Sequence, residues 1–369
     1  MPKVSDRIWF LSVLVSIVVE SCLLRPDTSE RAKDQKIDLR IIDTLSYRYL
    51  PLETKHESLF GEVMQILIDE NYIFLLTGGE GQSVLVFDME GRFLTRVSRS
   101  GRGPGEYGGS VEIDLDRKRK QILVYDQGGK KILRFGYDGT YQSELSLPDY
   151  MGTNFAFLTE NRFAFHRGLG RNQGFYLNIT DSLGNTIETH NPVNPFFEDM
   201  IQSIPNIFFS RSQKNGVFYI PIWSDQMYQL TQEGCRMVKD FNMSHVMIST
   251  IEDKSRRSSG LETGKFDYFS RCFVNDKGQY IVNIAFNSRL LHFIGNLGNG
   301  SSTGGSFSFS ERNEFINYGF GLFGEVKGHH QDHFVKIIDA ASLKRLYPTR
   351  FRDLNDEDNP IIFFFRINI

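Results

Sequence analysis

The chain has 369 residues, 42 Lys and Arg against 45 Asp and Glu, a formal net charge of −3, and 40% hydrophobic residues. Its basic runs, Arg117-Lys118-Arg119-Lys120 and Lys254-Ser255-Arg256-Arg257, are short and separate, so it lacks the broad basic face of a nucleic-acid binder. A single core of this length ordinarily divides into two domains unless the chain is built from repeats.

Lys3 and Arg7 precede an uncharged run from Ile8 to Val19, the layout of a secretory signal peptide. The run is shorter than the roughly 20 apolar residues that a membrane-crossing helix needs. Val19-Glu20-Ser21-Cys22 resembles a lipobox, with Glu20 departing from the small residue usual there. These features predict a lipoprotein signal over residues 1–21, lipidation of Cys22, a flexible tether over 22–36 and a folded body over 37–369. Several acyl chains on one cysteine anchor a protein durably, since each buried methylene contributes about 0.8 kcal/mol. The expected address is the cell envelope, as an outer-membrane lipoprotein on either the periplasmic or the surface face. Cys235 and Cys272 remain, with no CxxC or Cys/His zinc spacing. They either pair in an oxidising envelope or stay as two buried thiols.

From Val63 onward one pattern recurs: apolar alternation, an acidic turn with glycine, then a second alternating segment. Val84-Leu85-Val86-Phe87-Asp88-Met89-Glu90-Gly91-Arg92-Phe93-Leu94 is the clearest copy, and Ile132–Tyr141, Tyr176–Asn185 and Met227–Cys235 follow. The glycines Gly91, Gly139, Gly184 and Gly234 are spaced at the period of propeller blades. Asp/Glu-Gly between segments of period 2 supplies the positive φ of a tight hairpin. A second alternating pair lies upstream of each hairpin, as in Val63–Ile68 with Tyr72–Leu76 and Val111–Leu115 with Gln121–Tyr125, giving four strands per unit. Such a sheet cannot bury both faces alone, so copies stack around an axis.

Further units run through Phe155–Thr189, Phe208–Phe241, onward from Phe269, and from Tyr318 to the end, for a count of six with seven as the alternative. The last is one strand short, since Asp339–Leu346 reads as a short helix before a final strand at Ile361–Ile367. Leu39-Arg40-Ile41-Ile42-Asp43 and its neighbours are expected to supply the missing outer strand and close the ring. The predicted fold is an all-β, six-bladed propeller of four-stranded antiparallel blades, and its many phenylalanines read as inter-blade core. Two irregular stretches, His190–Pro205 and Asn242–Lys265, are expected to project as loops or short helices from one rim.

Tyr49-Leu50-Pro51-Leu52-Glu53-Thr54, Leu59-Phe60-Gly61-Glu62, Gly101-Arg102-Gly103-Pro104-Gly105-Glu106-Tyr107 and Asp358-Asn359-Pro360-Ile361-Ile362 occur in that order. In these segments the chain resembles the six-bladed β-propeller family abundant in Bacteroidetes, whose members are related to NHL-type propellers. The resemblance implies a propeller fold and an envelope lipoprotein, and no activity that can be assigned to particular residues. The Gly101–Tyr107 segment reads as an inter-blade connection. No Lys-Ser/Thr follows to make it a phosphate cradle, and Arg102 and Glu106 are its candidate rim contacts.

The sharpest polar cluster is His329-His330-Gln331-Asp332-His333. On one strand, residues four apart share a side, so His329 and His333 are the candidate ligands of a divalent metal, with Asp332 assisting. No cofactor is required by the sequence. Asp353–Asp358 lacks the glycine and the downstream glutamate of a calcium loop and reads as a solvated turn. The common hydrolase signatures are missing from the sequence. Two functions follow. The first is a non-catalytic binding or scaffolding module, tethered to the membrane by lipid and taking a glycan, peptide or protein, with no nucleic-acid partner. The second is an envelope lyase or hydrolase, metal-dependent or not, with its active site in the central channel.

Overall fold

The computed structural model describes residues 36–369 apart from 38–40, 79–81, 98–100, 102, 109–110, 150, 160–161, 167–174, 193–208, 222–223, 244–267, 287–288 and 308–325. Two strands come first, Lys36–Ile37 (β1) and Ile42–Pro51 (β2), and both join sheets formed much later in the chain. Blade 1 is β3–β6 (Val63–Asp69, Tyr72–Thr77, Ser83–Asp88, Phe93–Val97), and blade 2 is β7–β10 (Val111–Asp116, Gln121–Asp126, Lys131–Gly136, Tyr141–Ser146). Blade 3 is β11–β14 (Asn154–Thr159, Arg162–His166, Phe175–Thr180, Thr186–Pro192), and blade 4 is β15–β18 (Ser210–Ser212, Gly216–Tyr219, Gln226–Thr231, Gly234–Asp240). Blade 5 is β19–β22 (Tyr268–Val274, Gln279–Phe286, Arg289–Asn296, Ser302–Phe307), and blade 6 contains β23–β25 (Val326–His330, His333–Ile338, Ile361–Ile367).

Within each blade successive strands pair antiparallel, and β2 adds to β25 as the outer strand of blade 6, with Tyr49 opposite Phe363. The N-terminal segment thus closes the ring as expected, though with a longer strand that extends to Pro51. The Ala340–Leu346 helix (α1) also forms where expected, its first turn held by the Asp339 carboxylate accepting from Ser342 N at 2.7 Å. One pairing has no counterpart in the repeat: β1 runs parallel to β22 and widens blade 5 to five strands. The first strand of each unit is innermost. β23 meets β3, β3 meets β7 and β7 meets β11 on one side of the axis, and β15 meets β19 and β19 meets β23 on the other. The molecule is a six-bladed β-propeller.

Period-2 alternation decides which neighbour each side chain meets. On β4, Phe74 and Leu76 pack with Ile113, Ile122 and Val124 of blade 2, while Ile73 and Leu75 pack with Val335, Ile362 and Phe364 of blade 6. The phenylalanines fill the same seams: Phe155, Phe163 and Phe165 of blade 3 enclose Tyr125 and Ile132 of blade 2.

The recurring glycines do more than turn the chain. Gly91, Gly139 and Gly184 have φ of +83°, +85° and +85°, and each outer hairpin rests on the preceding blade. A Cβ on Gly139 would lie 3.1 Å from Thr95 Oγ1 in blade 1, and one on Gly184 would lie 2.8 Å from Leu147 Cδ2 at the edge of blade 2. At Gly91 the neighbour is the closing strand itself, where a Cβ would come within 2.2 Å of the Pro51 carbonyl oxygen. Gly91→Ala is therefore expected to cost about 3 kcal/mol, combining left-handed strain with a backbone overlap. Gly234→Ala, at a φ of +132° with no atom within 4 Å of the added carbon, should lose less. Urea titration of the two variants checks the order.

Candidate functional site

Among the described residues the innermost strands have no strand partner on the axial side, and side chains of the adjacent blade satisfy part of that edge. Gln65 on β3 acts as a false peptide: its Nε2 donates to Ile113 O at 2.9 Å and its Oε1 accepts from Ile113 N at 3.0 Å. Ser210 on β15 does the same for Val274, accepting from its N at 2.7 Å. Between blades 2 and 3, Glu112 accepts from Phe155 N at 2.7 Å and from the Asn154 amide, and Asp114 accepts from Phe157 N at 2.7 Å. Arg211 reaches across from blade 4 to Asp114, with Nε 2.7 Å from Oδ2, and donates to the carbonyls of Phe209 and Phe155. Both ions of that pair are buried. Burial pushes the Glu112 carboxyl up to about 7 against the opposing influence of Arg211.

Along the axis lies a narrow cavity of about 30 Å³, lined by Gln65, Arg117, Arg211, Arg271, Lys327 and His329 together with apolar groups of β3. Toward the turns that follow the inner strands, Arg117 and Arg211 also line an open cleft of about 760 Å³. The cleft adds Asp114, Asp116, Lys118, Arg162, Ser212 and Gln213, with Gln232 and Phe157 on its walls. Arg117 leans on Asp69 of blade 1, 3.6 Å from Nε to Oδ1. Asp69 also takes hydrogen bonds from Tyr137 at 2.8 Å and Lys120 at 3.1 Å. Burial would raise its carboxyl, but these two bonds and the Arg117 charge hold it below the ordinary value.

The histidine cluster has a different geometry from the one its spacing implies. His329 and His330 end β23, Gln331 turns the chain at a φ of +54°, and His333 begins β24 with His330 as its cross-strand partner. His329 and His333 therefore stand on opposite strands of a hairpin, where the four-residue rule for one strand does not apply. His329 faces the axial cavity, and its Nδ1 is buried with no hydrogen-bond partner among the described residues. Asp332 is engaged by Lys277 at 2.9 Å, His333 at 2.9 Å and Arg366 at 3.1 Å. Among the described residues, no three His, Cys, Asp or Glu side chains are grouped to hold a metal ion.

Glu106 turns into its own loop, accepting from Gly103 N at 2.7 Å, while Tyr107 is buried and donates to Gln82 O and Val97 O. Cys22 and Arg102 lie outside the described residues, as does most of the two irregular stretches. Cys235 and Cys272 are both free thiols, and burial pushes that of Cys272 well above its ordinary value. Asp353–Asp358 forms the expected turn, closed by Asn355 N donating to Asp358 at 2.7 Å.

Sequence reasoning passed over the basic residues of the channel. The signal was present as a repeat in Phe208-Phe209-Ser210-Arg211-Ser212 and Tyr268-Phe269-Ser270-Arg271-Cys272, which place an arginine after a serine in two innermost strands. Arg117 stood in plain view within a run read only for its length.

Buried imidazoles give the molecule a defined pH response. Burial lowers His166 to about 4, His292 to about 3 and His329 to about 4, from an ordinary value of 6.5. The unfolded chain therefore binds protons at these sites that the folded chain refuses, and the stability they contribute is full above pH 6.5 and lost as pH falls toward 4. Glu112 works in the other direction, since its folded form takes up a proton below about pH 7 that the unfolded form releases until about 4.5. His330 and His333 are lowered by burial in the same direction, so the histidines outweigh Glu112 and leave a net loss on acidification. The urea midpoint is expected to fall between pH 6.5 and pH 4.5, and to fall less in His292→Gln.

Known proteins resemble this chain in fold. A Bacteroides fragilis protein described as exported superposes with a TM-score of 0.70 at 18% identity, covering 91% of this chain and 98% of its own. A member of the DUF4221 family from Bacteroides vulgatus superposes with a TM-score of 0.57 at 10% identity, covering 89% and 98%. At such identities the likeness is one of architecture alone. Curated proteins offer no significant match. Residues 27–366, nearly the whole propeller, match the family described as Domain of unknown function (DUF4934), and the chain belongs to that family.

Proposed function

We propose that the chain is an envelope-tethered, non-catalytic binding propeller that takes its partner at the open cleft formed by blades 2, 3 and 4. The observation that carries this reading is a division of labour among the axial polar groups. Gln65, Glu112, Asp114, Ser210 and Arg211 hold blade to blade, and the adjoining cleft of about 760 Å³ is rigidly framed and open. A site on a rigid frame binds without the cost of ordering itself. Export and lipid anchoring are supported by Lys3, Arg7, the apolar run and Ser21-Cys22, together with the fold shared with an exported Bacteroides protein.

Thermal-shift screening of the purified chain against glycans, peptides and divalent metals tests the reading. A reproducible ligand-dependent rise in the unfolding temperature, with the ligand recovered intact, is expected. Recovery of a cleaved or eliminated product favours the lyase or hydrolase instead. For the anchor, metabolic labelling with a fatty acid is expected to mark the chain and to be lost in Cys22→Ser. Equal labelling of both removes the tether.

A further inference from the structure

Resting on that reading, we infer that the cleft receives an acidic oligosaccharide, a run of uronate sugars whose carboxylates meet Arg117, Lys118 and Arg162 and whose hydroxyls meet Ser212, Gln213 and Gln232.

The first argument is charge. The chain as a whole carries a net −3, yet the lining of this cleft is basic. Its two carboxylates are already committed, Asp114 to Arg211 at 2.7 Å and Asp116 to Arg119 at 2.9 Å. Among the described residues Arg162 pairs with Glu188, 3.2 Å away and about one-third exposed on both sides. Such solvent-screened pairs exchange partners at little cost. Inward from the cleft the same sign continues through Arg271 and Lys327. A concave, partly dry wall of one sign focuses its field on an incoming anion.

The second argument is the kind of anion. Arginine offers a planar fork that matches a carboxylate. The hydroxyl and amides beside it match ring hydroxyls, and Phe157 and Leu158 add apolar groups to the lining against which a sugar can rest. One route open to an acidic peptide is addition to a free strand edge. Part of the axial edge is already taken, since Gln65 covers Ile113, Glu112 covers Phe155, Asp114 covers Phe157 and Ser210 covers Val274.

Isothermal titration of the purified chain with a short oligogalacturonate, its carboxyl-reduced neutral counterpart and a short oligoglutamate tests the proposal. Saturable binding of the oligogalacturonate alone is expected. It should weaken as salt rises and fall about tenfold in each of Lys118→Gln and Arg162→Gln, the loss of one charge-assisted contact. Both side chains stand at the cleft rim, and unchanged urea midpoints in the variants confirm that folding is intact. Equal affinity for the neutral sugar, or affinity unmoved by both substitutions, overturns the acidic-ligand assignment while leaving a binding module. Preference for oligoglutamate overturns the sugar. Conversion of the oligogalacturonate to shorter or unsaturated products overturns the non-catalytic reading and leaves the acidic site in place.

Discussion

Asp114→Asn is expected to lower the unfolding free energy by about 3–5 kcal/mol, the range for removing one partner of a buried ion pair. The cost comes from what remains. Arg211, itself buried, keeps its carbonyl partners Phe209 and Phe155 but loses the only carboxylate in direct contact with it among the described residues. The nearby Glu112 then becomes the counter-charge, so its carboxyl should ionise more readily than in the parent. Asp114→Asn/Arg211→Met removes both charges and should recover much of the loss, because an apolar pair of similar volume avoids the desolvation of both ions. Urea unfolding of the parent, the two single variants and the double variant forms the cycle. A loss below about 1 kcal/mol in Asp114→Asn would show that water reaches Arg211 and that the pair is not a buried one.

The second large effect concerns ring closure. A chain lacking residues 1–51 is expected to lose cooperative unfolding, because the outer strand of blade 6 goes with them. β25 then becomes an exposed edge bearing Ile361-Ile362-Phe363-Phe364-Phe365, the kind of strand that pairs with other chains. Phe363 also loses the rings of Tyr49 at 4.8 Å and Tyr47 at 6.0 Å, which Arg350 covers from outside at 5.3 and 5.5 Å. The milder Phe363→Ala should cost about 3–5 kcal/mol with closure retained. Size-exclusion chromatography of the truncated chain should show association, and a synthetic peptide spanning residues 41–58 should reverse it. A truncated chain that stays monomeric with a full melting transition would mean that β2 is ornamental.

The architecture was legible because a propeller writes its period into its turns. Gly91, Gly139 and Gly184 recur where backbone geometry and the adjacent blade both forbid a side chain, and the flanking alternation assigns each face of β4 to a different neighbour. The closing strand was readable from the deficit in the last unit. β1 was not, since a two-residue parallel pairing has no pattern of its own. The site was far less legible. His329 and His333 were placed by a rule for one strand, and a non-glycine turn residue, Gln331, hid the hairpin between them. The channel arginines come from blades 2, 4 and 5, and only the ring brings Arg117, Arg211 and Arg271 together. Convergence of that kind depends on rotation about an axis, which spacing along the chain does not encode.

Asn368 N donates to Ile41 O at 2.6 Å, so the circle of blades begins and finishes at one point. A gene rearranged to splice those two positions and to open the polypeptide between any other pair of neighbouring sheets would preserve every seam. Behind the leader, the order in which the gene lists the sheets is thus free, and the circle itself has no first member.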